Sequence, residues 1–226
     1  EQQFAGCNCG LLDQFSSIFG VPSGLIYSDF RTLTTDNVAL PAEARFIMIN
    51  PHIKHALAES PYNERRESCE KAAAQLNQHL DHSITTLRDV TWEQFTQHRH
   101  LIDPEAAQRA EHVIAEITRV GQAIEHLQRQ DLSAFGQLLF DSHETSRTAF
   151  ENSCPELDTV VEAAQQAGAL GARLSGGGWG GSVVVLAREA EAETLTESIL
   201  ETCRQKGFQP TAEITIPSAG AHVITH

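Results

Sequence analysis

Residues 171–181, Gly-Ala-Arg-Leu-Ser-Gly-Gly-Gly-Trp-Gly-Gly, hold six glycines in eleven positions and run directly into the apolar stretch Ser182 to Ala187. So many residues without a Cβ let the backbone take positive φ and come close to a neighbour, which a packed core rarely needs. From the residues alone two readings stay open. One is a backbone-lined cradle for an anionic or sugar-phosphate ligand, and the other is a tight connection between two strands. No helical pattern follows the glycines, so this is not the dinucleotide fingerprint, and no Lys-Ser/Thr pair closes it as in a Walker loop.

A chain of 226 residues can bury a real core and fits one large domain or two small ones. With 16 basic against 30 acidic residues its formal charge is −14, which repels nucleic acid and anionic membranes in the absence of a basic stripe. The composition is that of a soluble protein, since no apolar run approaches the ~18 residues of a membrane span. The N-terminus lacks the basic flank and apolar stretch of a signal peptide. Cys7, Cys9, Cys69, Cys154 and Cys203 are odd in number and scattered, which suits reduced thiols in a cytoplasm. Cys7-x-Cys9 has no second pair to complete a zinc site. The pairs His52-x-x-His55, His79-x-x-His82 and His98-x-His100 likewise lack completing ligands and read as surface histidines.

Gly24–Phe30 and Arg45–Asn50 are short, apolar and β-branched enough for strands, the second stopped by Pro51. Asn63–Leu80 reads as a helix. In 104–128, Ala106, Ala110, Val113, Ile114, Ile117, Val120 and Ile124 recur at spacings of three and four, an amphipathic helix opened by Asp103-Pro104. Asp131–Phe150 and Pro155–Gln166 read as further helices. The chain then reads as strand (Ala172–Ser175), glycine loop, strand (Ser182–Ala187), helix (Glu189–Lys206), strand (Thr211–Ile216) and a last short strand at Ala221–Thr225. Helices in the middle and strands at both ends predict an α+β fold with a helix-covered sheet.

Near the start, Gly10 precedes the apolar stretch Leu11-Leu12-Asp13-Gln14-Phe15, a loop entering a helix with a carboxylate in its first turn. Such an acid commonly does no more than complement the helix dipole. The apolar neighbours of Asp13 leave a catalytic reading open as well.

Four blocks occur in order. They are Glu1-x-x-Phe4-x-Gly6-x-x-Cys9-Gly10-x-x-Asp13-Gln14; His55-x-Leu57-x-x-Ser60-x-Tyr62-Asn63-x-Arg65-Arg66-x-x-Cys69; Ser142-His143 with Ser153-Cys154-Pro155-Glu156-Leu157-Asp158; and Gly171-x-Arg173-x-x-Gly176-Gly177-Gly178-Trp179-Gly180-Gly181. Together, over nearly the whole chain, they resemble the galactokinase family of the GHMP kinase superfamily. The Tyr-Asn-x-Arg-Arg and Ser-Cys-Pro-Glu-Leu-Asp blocks distinguish it from mevalonate and homoserine kinases. The resemblance implies a GHMP-kinase-like C-terminal domain at 49–226, with a mostly antiparallel sheet, preceded by a remnant of the N-terminal kinase domain at 1–48.

What the resemblance implies for chemistry is ATP-dependent phosphorylation of galactose at its anomeric hydroxyl, with ATP and Mg²⁺ as cofactors. Asp13 matches the catalytic aspartate, Gly10 and Tyr62 match sugar-contacting positions, and Glu1 matches the glutamate associated with the metal. Gly176, Gly177 and Gly178 match the loop beside the phosphate-binding loop. Phosphoryl transfer asks a protein mainly for positioning and charge neutralisation, which agrees with these parts.

The family's N-terminal arginine, glutamate, histidine and aspartate motif and its Gly-Leu-Ser-Ser-Ser loop have no counterpart in these residues. The expectation is therefore a C-terminal portion that does not turn over alone, and that self-associates through uncovered Phe15, Ile18, Phe19 and Ile26. Trp179 stands where phenylalanine is usual and Ser182 where cysteine is usual. Two alternatives keep the same residues: a non-catalytic galactokinase-like sensor of sugar and nucleotide, and a kinase for a related sugar such as N-acetylgalactosamine.

Overall fold

The structure, a computed structural model, describes residues 10–53 and 62–223. Glu1, the Cys7 and Cys9 pair, and His55, Leu57 and Ser60 lie outside these residues. In chain order the elements are α1 (Leu12–Phe19), β1 (Gly24–Asp29), β2 (Thr34–Ala39), β3 (Ala44–Asn50), α2 (Tyr62–Leu76), α3 (Trp92–His98), α4 (Pro104–Gln128), α5 (Leu132–Thr145), α6 (Pro155–Ala167), β4 (Gly171–Leu174), β5 (Val183–Arg188), α7 (Ala192–Gln205) and β6 (Thr211–Thr215).

Four strands form one sheet in the order β4-β5-β3-β6, with every pair antiparallel. Alternation along the strands divides the side chains between two faces. Ile47, Ile49, Ala172, Leu174, Val183, Val185 and Ala187 cluster with Leu157 and Val160 of α6 and Leu195 and Ile199 of α7. Leu186 and the half-buried Phe46 belong to a second cluster with Leu127, Leu132 and Phe135. Each fully buried Val, Ile or Leu contributes roughly 2 kcal/mol against leaving it in water, so a sheet buried on both faces needs helices on both. The α+β fold with a helix-covered antiparallel sheet is what the sequence predicts. The pairing of β3 with β5 runs from Ala44 to Ile49, so a division after residue 48 falls within a strand.

Helix boundaries follow local chemistry. The Asp103 side chain accepts the Ala106 N–H and Pro104 occupies the first turn of α4. α2 stops at Leu76 rather than Leu80, because the Asn77 side chain accepts the Ile84 N–H at 2.7 Å and turns the chain back. The helix expected to reach Phe150 ends at Thr145. A π turn over Ser146–Phe150 follows it, with Glu151 left-handed at φ 54 and ψ 46. A 3-10 turn at Glu189–Glu191 precedes α7. No strand forms at 221–223, because the Gly220 and Ala221 N–H groups donate instead to the Gly20 and Ser17 carbonyls at the end of α1.

Two elements were not expected from the sequence. β2 pairs with β1 in a separate hairpin, Gly24 opposite Ala39 through Asp29 opposite Thr34. α3 is opened by Thr91, whose hydroxyl accepts the Gln94 N–H while the Gln94 side chain accepts the Thr91 N–H. The hairpin base is packed through Leu25, Val38 and Leu40. α1 has no buried residue, and Ile18 and Phe19 are exposed as anticipated. Phe15 and Ile26 are instead half-buried; the Phe15 ring lies 5.3 Å from those of both Phe19 and Phe30.

α5 and β4 meet without an intervening side-chain layer. A Cβ on Gly171 would overlap the Gly136 carbonyl, and one on Gly136 would overlap the carbonyl of Leu170. Glycine at both positions is what allows this approach.

Candidate active site

A cavity of about 530 Å³ opens among α1, the hairpin tip, α2, α4, the turn after α5 and the glycine loop. Gly10, Asp13, Tyr62, Gly176 and Gly177, scattered over the sequence, all line it. Asp13 comes from the first turn of α1 and is the cavity's one lining carboxylate among the described residues. Glu1 lies outside the described residues, and Gly178 does not line the cavity but packs on Asn152.

The glycine loop is a tight connection between the adjacent strands β4 and β5, and it is also a wall of this cavity. Gly176, Gly178 and Gly181 have φ of 79, 93 and 80, and Trp179 joins them at φ 55. The loop is held from Asn152: Trp179 N–H donates to the Asn152 carbonyl at 2.6 Å, and Asn152 Nδ2 donates to the Gly177 carbonyl at 3.0 Å. A Cβ on Gly177 would stand 3.6 Å from Tyr62 Cδ2, so the loop and the start of α2 meet at the cavity.

Several lining residues were quoted in the sequence blocks without a role, or not singled out at all: Arg65, Arg66, Cys69, His112, Asn152 and Arg173. Three guanidiniums and one carboxylate line the cavity, and each guanidinium is paired with a glutamate that does not line it: Arg65 with Glu151, Arg66 with Glu70 and Arg173 with Glu116. Arg65 and Arg109 also explain how the turn after α5 ends. Gln108, Arg109 and Arg65 donate to the successive carbonyls of Thr148, Ala149 and Phe150, which a helix end leaves without partners. Glu151 closes the arrangement, 2.7 Å from Arg109 and 3.7 Å from Arg65, and the Arg109 hydrogen bond holds its carboxyl below the usual range.

Behind the cavity, Glu116 accepts from Ser142 Oγ at 2.7 Å and lies 3.5 Å from Arg173. Burial opposes its charge, but Arg173, Ser142 and Arg119 outweigh burial and lower its pKa. His112 pairs through Nδ1 with Thr145 Oγ1 at 2.9 Å and stacks on Phe150 at 4.9 Å. Burial pushes its pKa down to about 4, so the ring is neutral at physiological pH. Burial pushes the Cys69 thiol up to about 11, which makes it a packing residue and not a nucleophile.

The Ser-Cys-Pro-Glu-Leu-Asp block plays a structural part. The Asp158 carboxylate accepts from Ser153 Oγ at 2.5 Å and from His143 Nε2 at 3.1 Å, while His143 Nδ1 accepts the Leu174 N–H. Among the described residues no three His, Cys, Asp or Glu side chains cluster to hold a metal, and none of the helices is long and apolar enough to cross a membrane. Cys69, Cys154 and Cys203 are free thiols.

Residues 123–205 match the family described as GHMP kinases C terminal. The chain is similar to a galactokinase of Pasteurella multocida (strain Pm70), 37% identical over 99% of this chain and 58% of the relative. The crystal structure of Lactococcus lactis galactokinase complexed with galactose superimposes with a TM-score of 0.90 at 30% identity, over 97% of this chain and 57% of that one. A mevalonate kinase of L. major in complex with R-mevalonate shares the fold, with a TM-score of 0.53 at 23% identity over 87% of this chain and 50% of that one. The chain thus spans somewhat under three-fifths of the galactokinases it matches.

Proposed function

We propose that this chain forms part of a cytoplasmic galactokinase, which transfers the γ-phosphoryl group of ATP to the anomeric hydroxyl of galactose. One observation carries the reading: Gly10, Asp13, Tyr62 and Gly177 converge with three arginines on one cavity. That pairing of one carboxylate with several cations suits a hydroxyl nucleophile and an anionic phosphoryl donor. Likeness to galactokinases over 99% of the chain supports the same substrates.

In this reading Asp13 accepts the anomeric hydroxyl proton as the sugar oxygen bonds to Pγ and the bond from Pγ to the β-phosphate oxygen breaks, releasing ADP. Gly10 and Tyr62 orient the sugar. Gly176 and Gly177 present backbone to the phosphoryl end, and Gly178 fixes their course through Asn152. Arg65, Arg66 and Arg173 bring guanidinium donors to the cavity wall, each shared with a glutamate partner. Magnesium takes most of its ligands from phosphates and water. The described residues offer it one lining carboxylate and no cluster, so they do not by themselves make its site.

Asp13→Asn keeps the shape of the side chain and removes its basicity. In the full-length protein, a coupled ADP assay is expected to show kcat lowered by about a hundredfold or more while galactose binding stays intact. Unchanged turnover would reduce Asp13 to a complement of the helix dipole.

A further inference from the structure

The tip of the β1-β2 hairpin is held by two crossed ion pairs. Arg88 clamps Asp29 through both guanidinium nitrogens, at 2.6 Å to each carboxylate oxygen. In the opposite sense, Arg31 of the hairpin donates to Asp89 Oδ1 at 2.7 Å and to Thr86 Oγ1 at 2.8 Å. Each carboxylate also ties down its own turn. Asp29 Oδ1 accepts the Arg31 N–H, and Asp89 Oδ2 accepts the N–H groups of Thr85 and Thr86. Four charges on adjacent turns thus form two ion pairs, of which Arg88–Asp29 is bidentate, a geometry in which surface pairs do contribute.

Apolar burial does not hold the same region. The hairpin packs at its base through Leu25, Val38 and Leu40, whereas at the tip Phe30 is 43% and Leu33 61% exposed. α1, which carries Asp13, buries none of its residues. Attachments of that helix include the edge-on contact of Phe15 with Phe30 at 5.3 Å and the hydrogen bonds of Gly220 and Ala221 to Gly20 and Ser17. Phe30 itself lines the cavity.

We propose that Asp29, Arg31, Arg88 and Asp89 are positioning residues of the reaction, a polar latch that sets Phe30 and, through Phe15, the place of α1 and Asp13 on the cavity. The proposal rests on the reading of Asp13 given above. Misplacing a reacting group by ~1 Å costs up to a hundredfold in rate, so a latch remote from the chemistry can act on turnover.

The test compares Arg88→Asp, Asp29→Arg and the double swap in the full-length protein, reading amide hydrogen exchange over residues 12–19 together with kcat and KM. Each single reversal is expected to speed exchange in α1 and to lower kcat by about tenfold, with KM for ATP changed less than about twofold. The double swap, which restores opposite charges across the same gap, returns both. Phe30→Leu, which keeps the latch and removes the ring contact, is expected to speed exchange in α1 and to lower kcat in the same way. If a reversal does not fold, Asp29→Asn serves in its place, and recovery with added Arg88→Gln is not expected, since no ion pair is remade. Exchange in α1 that ignores the reversals, or a swap that restores nothing, overturns the latch. Exchange that follows the latch in a protein inert toward galactose upholds the latch and overturns the kinase reading.

Discussion

Asn152 holds Trp179 by its main chain, the Trp179 N–H lying 2.6 Å from the Asn152 carbonyl oxygen. Trp179 is a non-glycine residue at φ 55, a conformation that persists only where its surroundings enforce it. The neighbouring Gly178 is pressed so closely on the same asparagine that a Cβ would overlap its carbonyl.

From this arrangement the loop glycines are not equivalent. Gly178→Ala, at φ 93 and in overlap with Asn152, is expected to cost about 2 kcal/mol or more, seen as a lower urea midpoint. Gly177→Ala meets only the Tyr62 ring, at 3.6 and 3.8 Å, and is expected to leave stability within ~0.5 kcal/mol while raising KM for galactose. Equal urea midpoints for the two variants would remove Asn152 as the loop's support.

Tyr62 lines the cavity. A neutral hydrogen bond contributes about 1 kcal/mol, so Tyr62→Phe should weaken galactose affinity several-fold with little change in Tm. A fall in Tm with unchanged affinity, measured by calorimetry, assigns Tyr62 to the start of α2 alone.

His112 makes stability depend on pH in a defined direction. Its pKa is lowered from 6.5 to about 4 by burial, so the unfolded chain binds its proton first as pH falls. Stability is then full above pH 6.5, declines between pH 6.5 and 4, and loses roughly 3 kcal/mol across that window. Glu116, Glu151 and Asp158, whose pKa values are lowered, give up their contributions only at more acid pH. Urea titrations at pH 7 and 5 on the native chain and on His112→Gln check this. The variant should lose the slope in that window, and a retained slope places its origin elsewhere.

Asp158→Ala leaves the buried His143 Nε2–H and the Ser153 hydroxyl without their acceptor. Leaving such a group unpaired costs about 1–3 kcal/mol. The expected result is a lower Tm with kcat unchanged below the transition, and a lost kcat in a still folded variant would draw the Ser153 to Asp158 block into catalysis.

The long amphipathic helix at 104–128 could be read from the sequence to the residue, because its spacing, Asp103 cap and Pro104 all carry the same message. β2 could not. Thr34–Ala39 is polar, only Thr35 and Val38 are half-buried, and a strand paired on one side near solvent leaves no alternation to detect. α3 did leave a signal in Thr91-x-x-Gln94, the reciprocal cap it forms. Of the cavity, Asp13, Tyr62 and the glycines were nameable from motif order. Asn152, His112 and Arg173 were not singled out, since their roles arise from the turn after α5 and the approach of β4, which are properties of the packing.

The contact of Gly136 with Gly171 decides which side of the cavity can yield. α5 leads into the turn that carries Asn152, and β4 leads into the glycine loop, so one backbone joint fuses these two supports into a single stiff block. Facing it are α1 and the hairpin tip, which are fastened by rings, charges and two main-chain bonds, and elements so lightly buried open at low free-energy cost. Any tightening of the cavity on a ligand is therefore one-sided: the anvil is the loop and its helix, and the moving jaw is the side that bears Asp13.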